Sequence, residues 1–138
     1  HPAGSLGRRL LLQISDIMHT GPGIPKVLPG ANLAEALMEM SQKRLGMTAV
    51  VDEHERLLGI FTDGDLRRAL DDSGKDLRNI VVAEVMTRDP KTIGADKLAI
   101  EAAQLMEKFP INALLVVDED SRVIGALNIH DLLRARVV

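Results

Sequence analysis

The sequence predicts an α/β fold of two small repeats, each a mixed three-stranded sheet with two helices, packed about a pseudo-twofold axis. Three observations carry this. The chain repeats itself in one register. Each copy joins apolar runs of strand length to segments of helical periodicity. A unit of about 60 residues buries too little surface to be comfortable alone, so two copies are expected to share an apolar face and leave two related clefts between them.

The repeat is read directly. TAVVDEHERLLGIFTDGDLRRAL, from Thr48 to Leu70, matches LLVVDEDSRVIGALNIHDLLRA, from Leu114 to Ala135. Asp52 aligns with Asp118, Gly59 with Gly125, Asp65 with Asp131 and Arg68 with Arg134, at a constant step of 66 residues. Upstream, Ile14–Met18 (ISDIM) matches Val82–Met86 (VAEVM) at a step of 68, which places small gaps around GPGIPKVLPG. The expected organisation is a leading segment at 1–13, repeat 1 at 14–71, a connector at 72–81 and repeat 2 at 82–136.

The elements follow in order. Lys26 to Leu28, between Pro25 and Pro29, suits a short first strand. Leu33, Leu37, Met38, Met40 and Leu45 recur at helical spacing, and Gly46 is the expected helix breaker. Met47 to Val51 is an apolar, β-branched run that suits a buried strand. Asp52 to Arg56 is a polar turn, Leu57 to Phe61 a further strand, and Asp65 to Leu70 the start of another helix. The second copy repeats the plan, with a helix over Leu98–Glu107, strands over Ala113–Val117 and Val123–Leu127, and a helix from His130. The stretch DDSGKDLR (Asp71–Arg78) reads as a polar connection.

Composition removes several function classes. The chain has 138 residues, is 46% hydrophobic and 27% charged, and contains no cysteine. A packed core is expected, with neither disulfides nor thiolate metal sites. The net charge of -3 and the absence of any basic cluster beyond a short pair argue against nucleic acid. Phe61 and Phe109 are the only aromatics, so no stacking platform for single strands exists. No apolar run reaches the roughly 18–20 residues of a membrane span, and HPAGSLGRRLLL lacks the regions of a signal peptide. These features fit a cytoplasmic protein that contacts neither membrane nor nucleic acid.

Catalytic patterns are missing. His1, His19, His54 and His130 are scattered without metal-ligand spacing, and Thr62 has no base at a recognisable offset. Gly21-Pro22-Gly23 is followed by neither a Lys-Ser/Thr pair nor a helix, so it is no phosphate loop. The motif GIFTDGDL (Gly59–Leu66) is more informative. Thr62 stands where an N-cap belongs and Asp65 lies three residues on, close to a capping box. The same helix start offers free N–H groups to an anion, with Asp65 facing ligand hydroxyls instead. The second copy, GALNIHDL (Gly125–Leu132), keeps Asp131 and replaces the threonine by Asn128, also a good cap. His130 and Arg134 add cations beside it.

With both copies in view, the chain resembles the tandem CBS-domain pair, or Bateman module, over about residues 14 to 136. Met18 and Met86 open the units, and the two motifs close them. That resemblance implies nucleotide ligands between the repeats, with Thr62 on phosphate and Asp65 and Asp131 on ribose; Asn128 departs from the Thr/Ser pattern, so the two clefts are expected to differ. HPAGSLGRRLLL, DIMHTG, LGMTAVV, LGIFTDGDLRRAL and HDLLRARVV further resemble the C-terminal part of the arabinose 5-phosphate isomerases, which interconvert ribulose 5-phosphate and arabinose 5-phosphate in Kdo and lipopolysaccharide synthesis. That implies an N-terminal SIS isomerase domain as partner, a cytoplasmic location in a Gram-negative bacterium and a homotetramer for the longer protein, while exposed helix faces beside the clefts point to a homodimer for this chain. His1 then matches the family's active-site histidine, a remnant inactive by itself.

No cofactor is required in this reading, and this stretch is not itself an enzyme. The implied ligand is CMP-Kdo, or an adenosine nucleotide. Lys26, Arg68, Lys91, His130 and Arg134 are the candidate cations for it, and Met47, Thr48, Asn112 and Ala113 the candidate base contacts. The competing reading is a purely structural module that dimerises and holds other domains together with no ligand.

Overall fold

The computed structural model describes residues 2–74 and 76–138. The leading segment forms helix α1 (Pro2–Leu11), followed by the single turn α2 (Ile14–Ile17). Repeat 1 contains β1 (Lys26–Val27), α3 (Leu33–Lys43), β2 (Met47–Val51), β3 (Leu57–Thr62) and α4 (Asp63–Ser73). After a 3-10 turn at Leu77–Asn79 come α5 (Val82–Val85) and β4 (Thr87–Arg88). Repeat 2 contains β5 (Thr92–Ile93), α6 (Ala99–Lys108), β6 (Ala113–Val117), β7 (Val123–Asn128) and α7 (Ile129–Arg134).

Two corrections to the expected elements are local. Helix α3 ends at Lys43, with Arg44 in the left-handed cap conformation (φ 62°), ahead of the expected stop at Gly46. Gly46 is also left-handed (φ 77°), so the turn into β2 uses two such residues. Helix α4 begins at Asp63 and α7 at Ile129, each directly after its cap, and not at Asp65 and His130.

The two sheets repeat each other's register. Lys26 pairs with Ala49 and Val27 with Val50 in parallel, as Thr92 pairs with Leu115 and Ile93 with Val116. The antiparallel β2–β3 and β6–β7 ladders carry the same irregularity, after Val50 and after Val116. Such matched detail is the structural counterpart of the sequence repeat.

Packing, however, crosses between the repeats. Sheet one has four strands in the order β1-β2-β3-β4, because β4, from the opening of repeat 2, adds to the edge of β3. Sheet two has three strands, β5-β6-β7, and His19 from the opening of repeat 1 bridges to Ala126 on β7. The turn α5 follows β4's choice: Val82 is buried among Leu33, Ala36, Met40, Val50 and Phe61. Ile14 of α2 is buried among Ala99, Leu114, Leu127 and Leu132. Each opening segment thus lies on the other copy's sheet.

This exchange explains the matched methionines and glycines. A Cβ on Gly59 would lie 2.7 Å from Met86 Sδ and 2.8 Å from the Thr87 carbonyl oxygen. A Cβ on Gly125 would likewise collide with Met18. Only glycine lets the crossing methionine lie flat on the strand.

A third core joins the two sheets face to face. It contains Met47, Ala49, Val51 and Ile60 from sheet one, and Ala113, Leu115, Val123 and Ala126 from sheet two, with Ile24 and Leu45. The hairpin turns close one end of this layer. The Leu57 amide donates to the Ser121 carbonyl and the Val123 amide to the Glu55 carbonyl, both at 2.9 Å. The strand starts at the other end are left apart, and the candidate site opens there.

Candidate functional site

The cleft between the strand starts has a volume of about 880 Å³. Both helix-opening motifs reach it: Thr62, Asp63 and Gly64 from repeat 1, and Asn128, Ile129 and His130 from repeat 2. The α3–β2 turn contributes Arg44, Leu45 and Gly46, and the α6–β6 turn contributes Phe109 to Ala113. Thr87, Asp89, Pro90 and Lys91 complete one wall. Lys91 Nζ lies 4.2 Å from the centroid of the Phe109 ring, within cation–π range; Lys108 Nζ approaches the same ring at 5.3 Å.

Thr62 and Asn128 are helix caps by local chemistry. Both have extended backbone, and their side chains accept from the amides of Asp65 and Asp131 respectively. In return the carboxylates close capping boxes, taking the Thr62 and Asn128 amides at 2.9 Å. The Thr62 hydroxyl also donates to Asp65 Oδ2 at 3.0 Å. Across the repeats, Asn128 Nδ2 donates to the Leu45 carbonyl at 3.4 Å.

The aspartates themselves are interior groups, 2% exposed at Asp65 and 6% at Asp131. Asp65 Oδ1 accepts from Arg68 Nη2 at 2.5 Å and from the Thr87 hydroxyl at 2.7 Å. Asp131 Oδ1 accepts from Arg134 Nη2 at 2.5 Å and from His19 Nε2 at 2.9 Å. Thr87 and His19 belong to the exchanged segments, so each carboxylate ties a helix start to the segment that crosses onto its sheet. Buried carboxylates need such partners.

Of the residues expected to meet a ligand, the cleft brings together Thr62, Lys91, Asn112, Ala113, Asn128 and His130. Asp65 and Asp131 are buried behind the caps and do not line the cleft; Asp65 accepts four protein donors and Asp131 three. Arg68 and Arg134 reach inward to those aspartates. Met47 and Thr48 are fully buried: Met47 packs in the inter-sheet core, and the Thr48 hydroxyl donates to the Ala36 carbonyl at 3.4 Å. Lys26 is held elsewhere, its ammonium 2.5 Å from Glu55 and its amide donating to Glu39. Burial pushes the Glu39 carboxyl up, but the Lys43 ammonium and the Lys26 amide that donate to it hold it below its ordinary value. His1 lies outside the described residues.

Among the polar and aromatic residues that escaped the reading of the sequence are Arg44, Asp63, Thr87, Asp89 and Phe109 on the cleft, and His19 behind it on Asp131. Thr87 and His19 had a signal, since each directly follows a repeated methionine at the common step of 68. Arg44 and Phe109 sit at helix ends and had none. Among the described residues there is no cluster of three or more His, Asp or Glu side chains fit to hold a metal ion.

Comparison with known proteins agrees with this architecture. The CBS-domain family model matches residues 14–72 and 82–138. Arabinose 5-phosphate isomerase KdsD of Pseudomonas aeruginosa is 59% identical over all 138 residues, and the chain spans 42% of that relative's length. Among solved structures, a CBS domain pair in complex with 5′-methylthioadenosine and S-adenosyl-L-methionine superposes with a TM-score of 0.79 at 27% identity, covering 90% of this chain and 94% of that one. CBSX2 of Arabidopsis thaliana in complex with AMP superposes at 0.76 with 25% identity, covering 91% and 96%. Two matched repeats, the sheet pair and the shared cleft together place this chain in the CBS-domain family, as a tandem pair.

Proposed function

We propose that this chain is the regulatory ligand-binding module of an arabinose 5-phosphate isomerase, and that its cleft takes a nucleotide or nucleotide-sugar. The observation that carries the reading is the open cleft of about 880 Å³, lined at once by both helix-opening motifs. Its size falls in the range of ligand pockets. It is supported by the adenosine compounds held by structurally similar CBS proteins and by the identity to KdsD. CMP-Kdo, the activated end product of the pathway, is the first candidate effector, and adenosine nucleotides are the second.

In this reading Lys91 and His130 receive anionic groups, Thr62 contributes its hydroxyl, and Asn112 and Ala113 border the base. Asp65 and Asp131 hold the helix starts that form the cleft lips, and either meets a ligand hydroxyl only by releasing Arg68 or Arg134. Both arginine side chains are 67% exposed, so their release costs little. A ligand that spans both motifs favours one angle between the repeats. It regulates a linked isomerase domain only through that difference in affinity, and the path to it runs through the leading segment before α2.

The test is calorimetric titration of this chain with CMP-Kdo, CMP, AMP and ATP, in parallel with Lys91→Ala. Micromolar binding of one compound, weakened at least tenfold by Lys91→Ala, is the expected outcome. A folded chain that takes up none of the four leaves the second reading, a module for assembly alone. The engagement of Asp65 and Asp131 by protein donors is the observation that favours that second reading.

A further inference from the structure

The cap of α3 places an arginine where the backbone disfavours one. Arg44 has φ 62° and ψ 29°, the left-handed region in which glycine or asparagine is the usual helix terminator. Its side chain is exposed and lines the cleft. Among the described residues it has no ion-pair or hydrogen-bonding side-chain partner. The matched position of repeat 2 is Pro110, so this guanidinium occurs on one side of the pseudo-twofold axis only.

Its surroundings favour an anion. The Leu45 carbonyl accepts from Asn128 Nδ2, which seats the Arg44–Leu45 turn against the second motif, the one that also lends His130 to the cleft. The carboxylate at that motif, Asp131, is buried and already taken by Arg134 and His19. The first motif is different. Asp63 and Asp89 both stand exposed on the cleft wall beside Thr62 and Thr87, and Lys91 follows Asp89 two residues on. A phosphate placed on Thr62 would meet Asp63 at the first turn of α4, and like charges oppose binding there.

We infer that Arg44 is an anion-recognition residue of the cleft, receiving the phosphate or carboxylate of its ligand beside Asn128 and His130 instead of at Thr62. The guanidinium presents a planar fork suited to two oxygens of such a group. The inference rests on the ligand-binding reading of the same cleft and adds the end at which the charge sits. Left-handed geometry fixes only the Cα–Cβ direction of Arg44, and among the described residues its guanidinium has no counter-ion that a ligand must displace.

The replacement Arg44→Gly separates recognition from folding, because glycine suits this backbone better than arginine. Arg44→Lys retains the charge without the fork. The probes are AMP, adenosine and inorganic pyrophosphate, titrated into the native chain and both variants, with thermal melting of each. The expected result is a Tm for Arg44→Gly no lower than native, AMP affinity reduced at least tenfold, adenosine affinity changed less than twofold, and partial recovery with Arg44→Lys. AMP bound equally by the native chain and Arg44→Gly overturns the inference and keeps the nucleotide reading. Pyrophosphate bound by the native chain and lost in Arg44→Gly, with neither nucleoside compound bound, keeps Arg44 and removes the adenosine-nucleotide reading. No binding of any probe by a folded native chain overturns the inference and removes the adenosine-nucleotide reading with it.

Discussion

Replacing Asp65 by alanine tests whether this residue is an interior strut of the cleft lip. The carboxylate accepts four side-chain or backbone donors while only 2% exposed. Loss of the capping box orphans the Thr62 amide at the start of α4, at about 1–2 kcal/mol. Loss of the Thr87 hydroxyl's charged acceptor adds about 1 kcal/mol. The Arg68 contact adds less, because its guanidinium is 67% exposed and returns to water. The sum is about 2–3 kcal/mol, or a fall in Tm of roughly 8–12 °C for a chain of this size. With no Trp or Tyr in the sequence, urea unfolding followed by far-ultraviolet circular dichroism is the suitable assay. Asp63→Ala, at an exposed neighbour, serves as the control and is expected to change stability by under about 0.5 kcal/mol. An Asp65→Ala chain as stable as this control refutes the reasoning. The same numbers show why lost ligand binding in Asp65→Ala would be ambiguous, whereas Lys91→Ala and Arg44→Gly remove surface cations and leave the helix starts intact.

Three further outcomes follow from the packing and the charges. Gly59→Ala forces a methyl against Met86 and the Thr87 carbonyl, and should destabilise by about 1–3 kcal/mol in urea; Met86→Ala in the same chain should recover only part of this, since the backbone oxygen remains. Gly125→Ala should lose a comparable amount, with Met18→Ala restoring more of it, because the Met18 side chain is the closer obstacle there. Asp76 bonds to Arg78 through its side chain, and this holds its carboxyl at about 2, below the ordinary 3.8. A folded-state value below the unfolded one gives stability that is present above about pH 3.8 and lost as the pH falls toward 2. Asp76→Asn should therefore flatten the profile of Tm against pH in that window and leave its neutral limb unchanged in shape.

Much of this molecule is legible in the chain order of its residues. Strands at Met47–Val51 and Ala113–Val117 follow from short β-branched runs, and the caps at Thr62 and Asn128 follow from a polar side chain followed three positions on by aspartate. These are local effects, decided within one turn of helix or a few residues of strand, so spacing alone determines them. The duplication itself is sequence information, and it implies the paired sheets because neither copy buries enough surface alone. Which sheet each opening segment joins is set by long-range packing alone. Ile14–His19 and Val82–Arg88 carry the same local pattern, and nothing in that pattern says that each adds to the other copy's sheet; the choice depends on which edge strand and which glycine lie within reach after collapse. The fates of the aspartates follow from that choice. Asp65 and Asp131 read in sequence as capping-box partners or as ligand groups, and only the folded chain brings Thr87 and His19 from distant sequence to engage them. The exposed cation at Arg44 was hidden for the opposite reason: a helix end fixes a backbone conformation, but only the neighbouring repeat turns that end into one wall of a cleft.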